Sequence, residues 1–567
     1  MRSHLRALTI FYLGSLFLSA CRAPAVAFMP AGTTTKASIR TATLIATPTQ
    51  TATFTATPIA TSITPTATPQ ATPSFLLDDI IPKPVSITPV SGTFYLTPEM
   101  TIFVSPATPE VKAVGQYLTD LLNPATGYDI SVEVAQTEHP SRGSIFLTLN
   151  NPDTSLGEEG YELEITPDVV QVNANQPAGL FHAVQTIRQL LPAAIESGSL
   201  QPGPWVLPDG DIRDYPRFAY RGVMLDVVRH FFTVQQVERY IDLLALYKIN
   251  FLHLHLTDDQ GWRIEIKSWP NLTAIGGSTE IGGGIGGYYT QADYAEIVSY
   301  AQSRFITIVP EIDMPGHVTA ALASYPELNC NGVAPEISTI IHVNYSSLCI
   351  SNDTSYQFME AVLHEVAAIT PGPFIHIGGD EAGATSQADY ITFMQRAQAA
   401  VESDGKHVIG WEEITQIKLS PGSVVQHWNI GDGYVPQALQ QGSRLIMSPT
   451  ERTYINLKYD SSTQLGPDVG LFLNIEAAYN WDPQTIANGL NEKDILGIEA
   501  PLWTDMLKNM ADLEFMTFPR LPGYAEIGWT PQAQRDWGEY RLRLAQQGPR
   551  LAELMVNFFR SPEIPWK

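Results

Sequence analysis

From Gly222 onward, short apolar runs recur at intervals that suit one architecture above others. Eight of them can be read in order: Gly222-Val223-Met224-Leu225-Asp226, Phe251-Leu252-His253-Leu254-His255, Ile306-Thr307-Ile308-Val309-Pro310, Phe374-Ile375-His376-Ile377-Gly378, His407-Val408-Ile409-Gly410-Trp411, Val424-Val425-Gln426-His427-Trp428, Leu445-Ile446-Met447-Ser448 and Ile495-Leu496-Gly497-Ile498-Glu499. Each has the length and the aliphatic content of a buried strand. Several intervening stretches, such as Val237 to Tyr247 and Tyr294 to Gln302, carry helical periodicity. Strand-then-helix units in this number predict an α/β fold, a (β/α)8 TIM barrel. Such a barrel keeps its functional groups just after its strands. Arg229, Asp258, His317, the Asp380-Glu381 pair, Trp411, Trp428, Tyr454 and Trp503 each follow a different run. Polar and aromatic groups at successive strand ends are not what core packing requires. The span between Tyr454 and Leu490 is irregular and breaks the alternation.

The barrel, residues 211–567, is preceded by other units. A chain of 567 residues exceeds one ordinary domain. Residues 76–210 predict a small α+β domain, with β patterns at Ser144 to Leu149 and in the alternating Tyr161, Leu163 and Ile165. A helix follows that places Leu180, Phe181, Val184, Ile187 and Leu190 on one face and stops at Pro192. Nothing in this domain has a catalytic pattern; it reads as a packing partner. Residues 21–75 are a tether, and from Thr33 to Pro73 they are mostly Thr, Ala and Pro with little charge. Such a segment lacks the apolar surface to order itself, and proline extends it toward about 3.1 Å per residue.

Residues 1–20 read as a signal peptide. Arg2, His4 and Arg6 are basic, and the apolar run Leu8 to Ala20 is too short to span a bilayer. It ends in Leu18-Ser19-Ala20-Cys21, which resembles a bacterial lipoprotein processing box, with Cys21 as the lipidated residue. The expected location is therefore extracytoplasmic, anchored to the membrane by lipid; plain secretion is the alternative. In that oxidising setting Cys330 and Cys349 are expected to pair, closing a loop worth about 3 kcal/mol. Two free thiols are the other possibility. The formal net charge of −25 repels a phosphate backbone, so no nucleic-acid partner is expected. No obligate protein partner is evident either.

Hydrolysis of a glycosidic bond needs a proton for the departing oxygen and a nucleophile or base at the anomeric carbon. Glu381 is the candidate acid, and the neighbouring Asp380 is expected to raise its pKa by disfavouring a second negative charge. An Asp-Glu pair also suits a metal site or a solvated turn. Its position after Gly378-Gly379 at a strand end favours chemistry.

Four runs carry a closer likeness: Met224-Leu225-Asp226-Val227-Val228-Arg229-His230-Phe231, Leu254-His255-Leu256-Thr257-Asp258-Asp259-Gln260-Gly261-Trp262-Arg263, Pro310-Glu311-Ile312-Asp313-Met314-Pro315-Gly316-His317 and His376-Ile377-Gly378-Gly379-Asp380-Glu381. In this order, over residues 211–567, they resemble the catalytic domain of family 20 glycoside hydrolases, the β-N-acetylhexosaminidases. The small domain also resembles the one that precedes the barrel in that family. The resemblance implies an exo-acting, retaining enzyme that removes terminal N-acetylhexosamine with no cofactor or metal, the substrate's own acetamido oxygen being the nucleophile. It assigns Asp380 to the acetamido N–H and Tyr454 to the carbonyl oxygen, with His317 and Asp258 as a supporting pair behind Glu381.

It further assigns Arg229 to the sugar hydroxyls at O3 and O4. Trp411, Trp428, Trp481 and Trp503 are expected to wall the pocket, although one of the four would suit simple packing. Asn456 stands where an aspartate is frequent and Asp505 where a glutamate is usual, both on the O4/O6 side of the sugar. Three other features compete. His253-Leu254-His255 suits a two-histidine metal motif in a metal-dependent barrel hydrolase, with His317 and Asp380 as further ligands. A non-catalytic glycan binder is a second reading, against which Asp380, Glu381, Tyr454 and Arg229 stand. The glycine run Gly282 to Gly287 lacks the Lys-Ser/Thr of a phosphate loop and reads as a connection.

Overall fold

A computed structural model describes residues 77–137, 141–150, 153–341 and 346–567. The expected signal peptide, Cys21 and the tether lie outside the described residues. Among the described residues no helix is long and apolar enough to cross a membrane.

The N-terminal part is a sheet of seven strands: β1 (Ser86–Tyr95), β2 (Thr101–Ser105), β3 (Ser131–Val134), β4 (Ser144–Thr148), β5 (Tyr161–Ile165), β6 (Val169–Ala174) and β7 (Val206–Asp214). Their order is β1-β7-β5-β6-β4-β2-β3, with β2, β3, β4 and β6 parallel and β1, β5 and β7 antiparallel to their neighbours. Helices Pro109–Thr126 and Pro177–Leu190 pack on it. The first begins at Thr108, whose side chain accepts from the Val111 N–H. Gly127 ends it in the left-handed region, where glycine is free to go.

The C-terminal part is a closed barrel. Its strands are β8 (Tyr220–Asp226), β9 (Phe251–His255), β12 (Thr307–Glu311), β13 (Phe374–His376), β14 (His407–Trp411), β15 (Val424–His427), β16 (Arg444–Met447) and β17 (Ile495–Leu502); β10 (Thr257–Asp258) and β11 (Gly261–Trp262) form a small hairpin after β9. All eight barrel strands coincide with the runs read from the sequence, and every barrel pairing is parallel. The crossovers are uneven. Long helices such as Asp353–Ala368 and Gln387–Ser403 follow β12 and β13, whereas β14 reaches β15 through the five-residue 3-10 turn Glu412–Gln416. Between β16 and β17 only short helical pieces occur, such as Thr450–Thr453 and Ile475–Tyr479, which accounts for the irregular sequence there.

Strand alternation sorts the barrel interior into layers. At the N-terminal end Tyr220, Val309, Ile409, Val424, Ile446 and Leu496 form an apolar plug, with Phe251 and Phe374 against it. Two residues further along the strands, three on β17, the interior turns polar: His253, Glu311, His376, Gln426 and Glu499 are all fully buried. The barrel thus has an oily base and a charged upper layer, with the strand ends above.

Candidate active site

A cavity opens at the C-terminal ends of the barrel strands. It is lined by Arg229, Asp258, Asp313, His317, Asp380, Glu381, Trp411, Trp428, Tyr454 and Trp503. Nine of these ten were singled out in the sequence; Asp313 was not. They come from loops that are far apart in the chain, and only barrel closure brings them together.

The carboxyl pair sits on a tight loop after β13. Gly378 and Gly379 have φ of 61° and 101°. A Cβ on Gly378 would lie 1.8 Å from the Asp313 carboxyl, which accepts the Gly379 N–H at 3.1 Å. Only glycine permits both the conformation and the approach. Glu381 (φ 46°) and His317 (φ 53°) also lie in the left-handed region. Strain of this kind collects at functional sites and persists because the surroundings fix it. The Glu381 side chain is 38% exposed and the Asp380 side chain 13%, so Glu381 faces the mouth while Asp380 lies deeper.

His317 is held between acids. Its Nδ1 is 3.1 Å from Asp258 Oδ1, and its Nε2 is 3.6 Å from Asp380 Oδ2 and 3.4 Å from Glu381 Oε2. Burial works against its charge, but Asp258 and Asp380 hold it well above the ordinary imidazole range. Burial pushes Asp380 up to about 6; the His317 cation restrains the rise, while Glu311 and Glu381 add to it. Asp313 is raised well above the carboxylate range by burial and by Asp380. Asp380 Oδ1 and His317 Nε2 are buried without a hydrogen-bond partner among the described residues. Buried polar atoms are rarely left so. Here both belong to side chains lining the cavity, where a bound polar group would satisfy them.

Arg229 is fixed from several sides. It forms an ion pair with Asp258, donates to Gln260 Oε1 at 3.2 Å and lies over the Trp503 ring at 4.8 Å. Trp411, 1% exposed, forms the floor and donates its N–H to Glu311 at 2.8 Å. Trp428 donates to Glu413 at 3.1 Å. Burial and Asp380 push the Tyr454 phenol well above its usual value, so it stays a hydrogen donor.

Trp481 is a correction. It does not line the cavity: its N–H donates to the Ala478 carbonyl, its own carbonyl accepts from Arg535, and it packs in the core at 7% exposure. Asn456 and Asp505 lie outside the cavity lining as well. Asn456 is 6% exposed, with its Oδ1 lacking a partner among the described residues, and Asp505 stands 3.9 Å from Arg229 Nε. The Cys330–Cys349 disulfide is formed.

Residues that sequence reasoning passed over also shape the site. Tyr390 donates to the Gly379 carbonyl at 2.8 Å and so secures the carboxyl loop. Glu413 is pushed up to about 8 by burial and by Asp380. Neither sits in a motif, and their signal exists only in three dimensions. Among the described residues, three groups have ligand atoms close enough to hold a cation: His253, Glu311 and His376; Asp258, Asp259 and His317; and Asp313, His317 and Asp380. Metal ligation needs neutral imidazole. Burial opposes charge on all three imidazoles and holds His376 below the ordinary imidazole range, but facing carboxylates raise His253 to about 10 and His317 well above that range. That environment suits ion pairs better than ligation.

A barrel mouth with a recessed carboxylate, a more exposed carboxyl beside it and aromatic walls defines a glycoside hydrolase. Comparison with known proteins narrows this. The family model "Glycosyl hydrolase family 20, catalytic domain" matches residues 218–390 and 384–532, and "Glycosyl hydrolase family 20, domain 2" matches residues 78–215. A beta-N-acetylhexosaminidase of Cellulomonas fimi is 39% identical over 489 residues, covering 86% of this chain and 97% of that protein. The solved GH20 beta-N-acetylhexosaminidase of Streptomyces coelicolor A3(2) superposes with a TM-score of 0.83 at 48% identity, covering 87% of this chain and 99% of that one. A mutant Streptomyces plicatus beta-hexosaminidase, solved with its product GlcNAc, gives a TM-score of 0.83 at 48% identity, over 87% and 98% of the two chains. The chain belongs to glycosyl hydrolase family 20.

Proposed function

We propose that the enzyme removes terminal, non-reducing N-acetyl-β-hexosamine from glycans or chitooligosaccharides, with retention, through an oxazolinium intermediate. The observation that carries the residue roles is the buried, unpartnered Asp380 Oδ1 beside the aromatic floor. An acetamido N–H placed there would satisfy it. Tyr454 would donate to the acetamido carbonyl oxygen, which attacks the anomeric carbon. The C1–O bond breaks as Glu381 gives its proton to the departing oxygen. Asp380 then stabilises the cationic ring, water deprotonated by Glu381 adds at C1, and the oxazolinium opens to the free sugar. Holding the internal nucleophile in place removes a large entropic barrier. Asp258 and His317 would keep Glu381 in position, and Arg229 would bind the sugar hydroxyls.

Purified enzyme should cleave an aryl N-acetyl-β-glucosaminide in the presence of EDTA and leave the matching β-glucoside nearly untouched. Comparable rates on the two would remove the acetamido mechanism. For location, the proposal is an exported lipoprotein held by lipid on Cys21, supported by the basic start, the short apolar run and the Leu18-Ser19-Ala20-Cys21 box. Cys21→Ser should release activity from the membrane fraction.

A further inference from the structure

Beneath the catalytic pocket, acidic and basic side chains alternate through the barrel interior. Glu499 takes hydrogen bonds from Tyr220 and Gln426 and faces His253 Nδ1 at 3.0 Å. His253 Nε2 is 3.0 Å from Glu311 Oε2, the same oxygen that bonds to His255 Nδ1. His255 Nε2 lies 3.0 Å from Asp258, and Asp258 pairs with both Arg229 and His317. His317 in turn faces Asp380 and Glu381. Glu311 is the branch point: fully buried, it also accepts the Trp411 N–H, and His376 Nδ1 lies 3.0 Å away.

We infer that Glu311 is a positioning residue for the reaction, acting through His255 on Asp258 and thereby on Arg229 and His317. This rests on the roles proposed above for those groups. Asp258 is asked to hold two cations from one small side chain. A carboxylate in that position is easily pulled aside by either cation. The His255 imidazole braces its Oδ2 from below, and Glu311 braces His255. Neutralising Glu311 would leave His255 with one acidic partner in place of two. Asp258 would then shift by a fraction of an ångström, and His317 would shift with it. Misplacement of about 1 Å far from the chemistry is enough to cost about a hundredfold in rate. A buried carboxylate that served the fold alone would have no need of a path to the catalytic loop.

A double-mutant cycle separates the two roles, because groups acting along one path give non-additive effects. Glu311→Gln should lower kcat on an aryl N-acetyl-β-glucosaminide at least ~30-fold, with KM within about threefold of wild type. Combined with Asp258→Asn it should add less than about threefold to the worse single variant. Trp411→Phe, which takes away part of the cavity floor along with the N–H donated to Glu311, should combine multiplicatively with Asp258→Asn. His255→Gln interrupts the same path one residue nearer the site and should repeat the Glu311→Gln pattern. Multiplicative loss in the Glu311/Asp258 cycle, or kcat within about threefold of wild type in Glu311→Gln, would overturn the assignment. So would failure of both Glu311→Gln and His255→Gln to fold, since the network would then be structural. Loss of all activity in wild-type enzyme would instead strike at the proposed function.

Discussion

Two aspartates at opposite ends of the barrel, Asp214 fully buried and Asp380 nearly so, make an instructive pair. Asp214, where the small domain meets the base of the barrel, has four donors: Trp529 Nε1 and the Val85 N–H on Oδ1, Tyr161 and the Lys248 ammonium on Oδ2. Around it Arg221 pairs with Glu159, and Lys248 lies over the Trp529 ring. Asp380, recessed in the cavity at the other end, has one oxygen with no hydrogen-bond partner among the described residues and the His317 imidazole 3.6 Å from the other. The first carboxylate is saturated and ties two domains together. The second is left incomplete at the wall of the cavity, where a bound polar group can complete it. What separates the two aspartates is their partners and the cavity that the second one faces.

The same chemical change at the two sites should therefore have opposite results. Asp380→Asn should lower kcat by about 10³-fold, since it removes the charge that meets the developing cation. Its unfolding free energy in urea should stay within about 1 kcal/mol of wild type, because few native partners are lost. Asp214→Asn should do the reverse. It leaves the Lys248 ammonium buried without its counter-charge, which costs about 3–5 kcal/mol, while kcat per folded molecule is kept. Similar unfolding curves for the two variants would break the comparison.

Smaller effects sharpen it. Removing the Cys330–Cys349 bridge by a double Cys→Ala change should lower stability by about 3 kcal/mol through loop entropy. Aryl-glycoside turnover should survive, as neither cysteine lines the catalytic cavity. The gentlest test is pH. Asp380 works as the anion, and burial holds it near 6. Activity should then rise with pH through about 6 and fall roughly tenfold per unit below it. This acid limb of kcat/KM should vanish in Asp380→Asn.

How much of this was legible in the chain depends on where the signal lay. The eight barrel strands were, because a strand buried on both faces is mostly apolar along its length, even where one inward position is polar. Nine cavity residues were, because a barrel places its functional groups at strand ends. Trp481 misled, since an indole that packs and an indole that stacks on sugar look alike in sequence; only its bond to Ala478 decides. Asp313, Glu311 and Glu413 stayed hidden for another reason. An acidic side chain is usually a solvated one, and only closure of the barrel turns Glu311 into a fully buried branch point. The mixed order of the small sheet was likewise unreadable, since strand pattern fixes burial but not neighbours.

The central claim is that the substrate's acetamido oxygen, steadied by Asp380, is the nucleophile. The direct measurement is inhibition of wild type and Asp380→Asn by a thiazoline analogue of the cyclised sugar, which mimics the bound intermediate. Tight inhibition of wild type, weakened at least about a hundredfold in Asp380→Asn, is the expected result. Equal, weak inhibition of both, together with a 2-fluoro sugar trapped as an ester on Asp380 or Glu381, would contradict it.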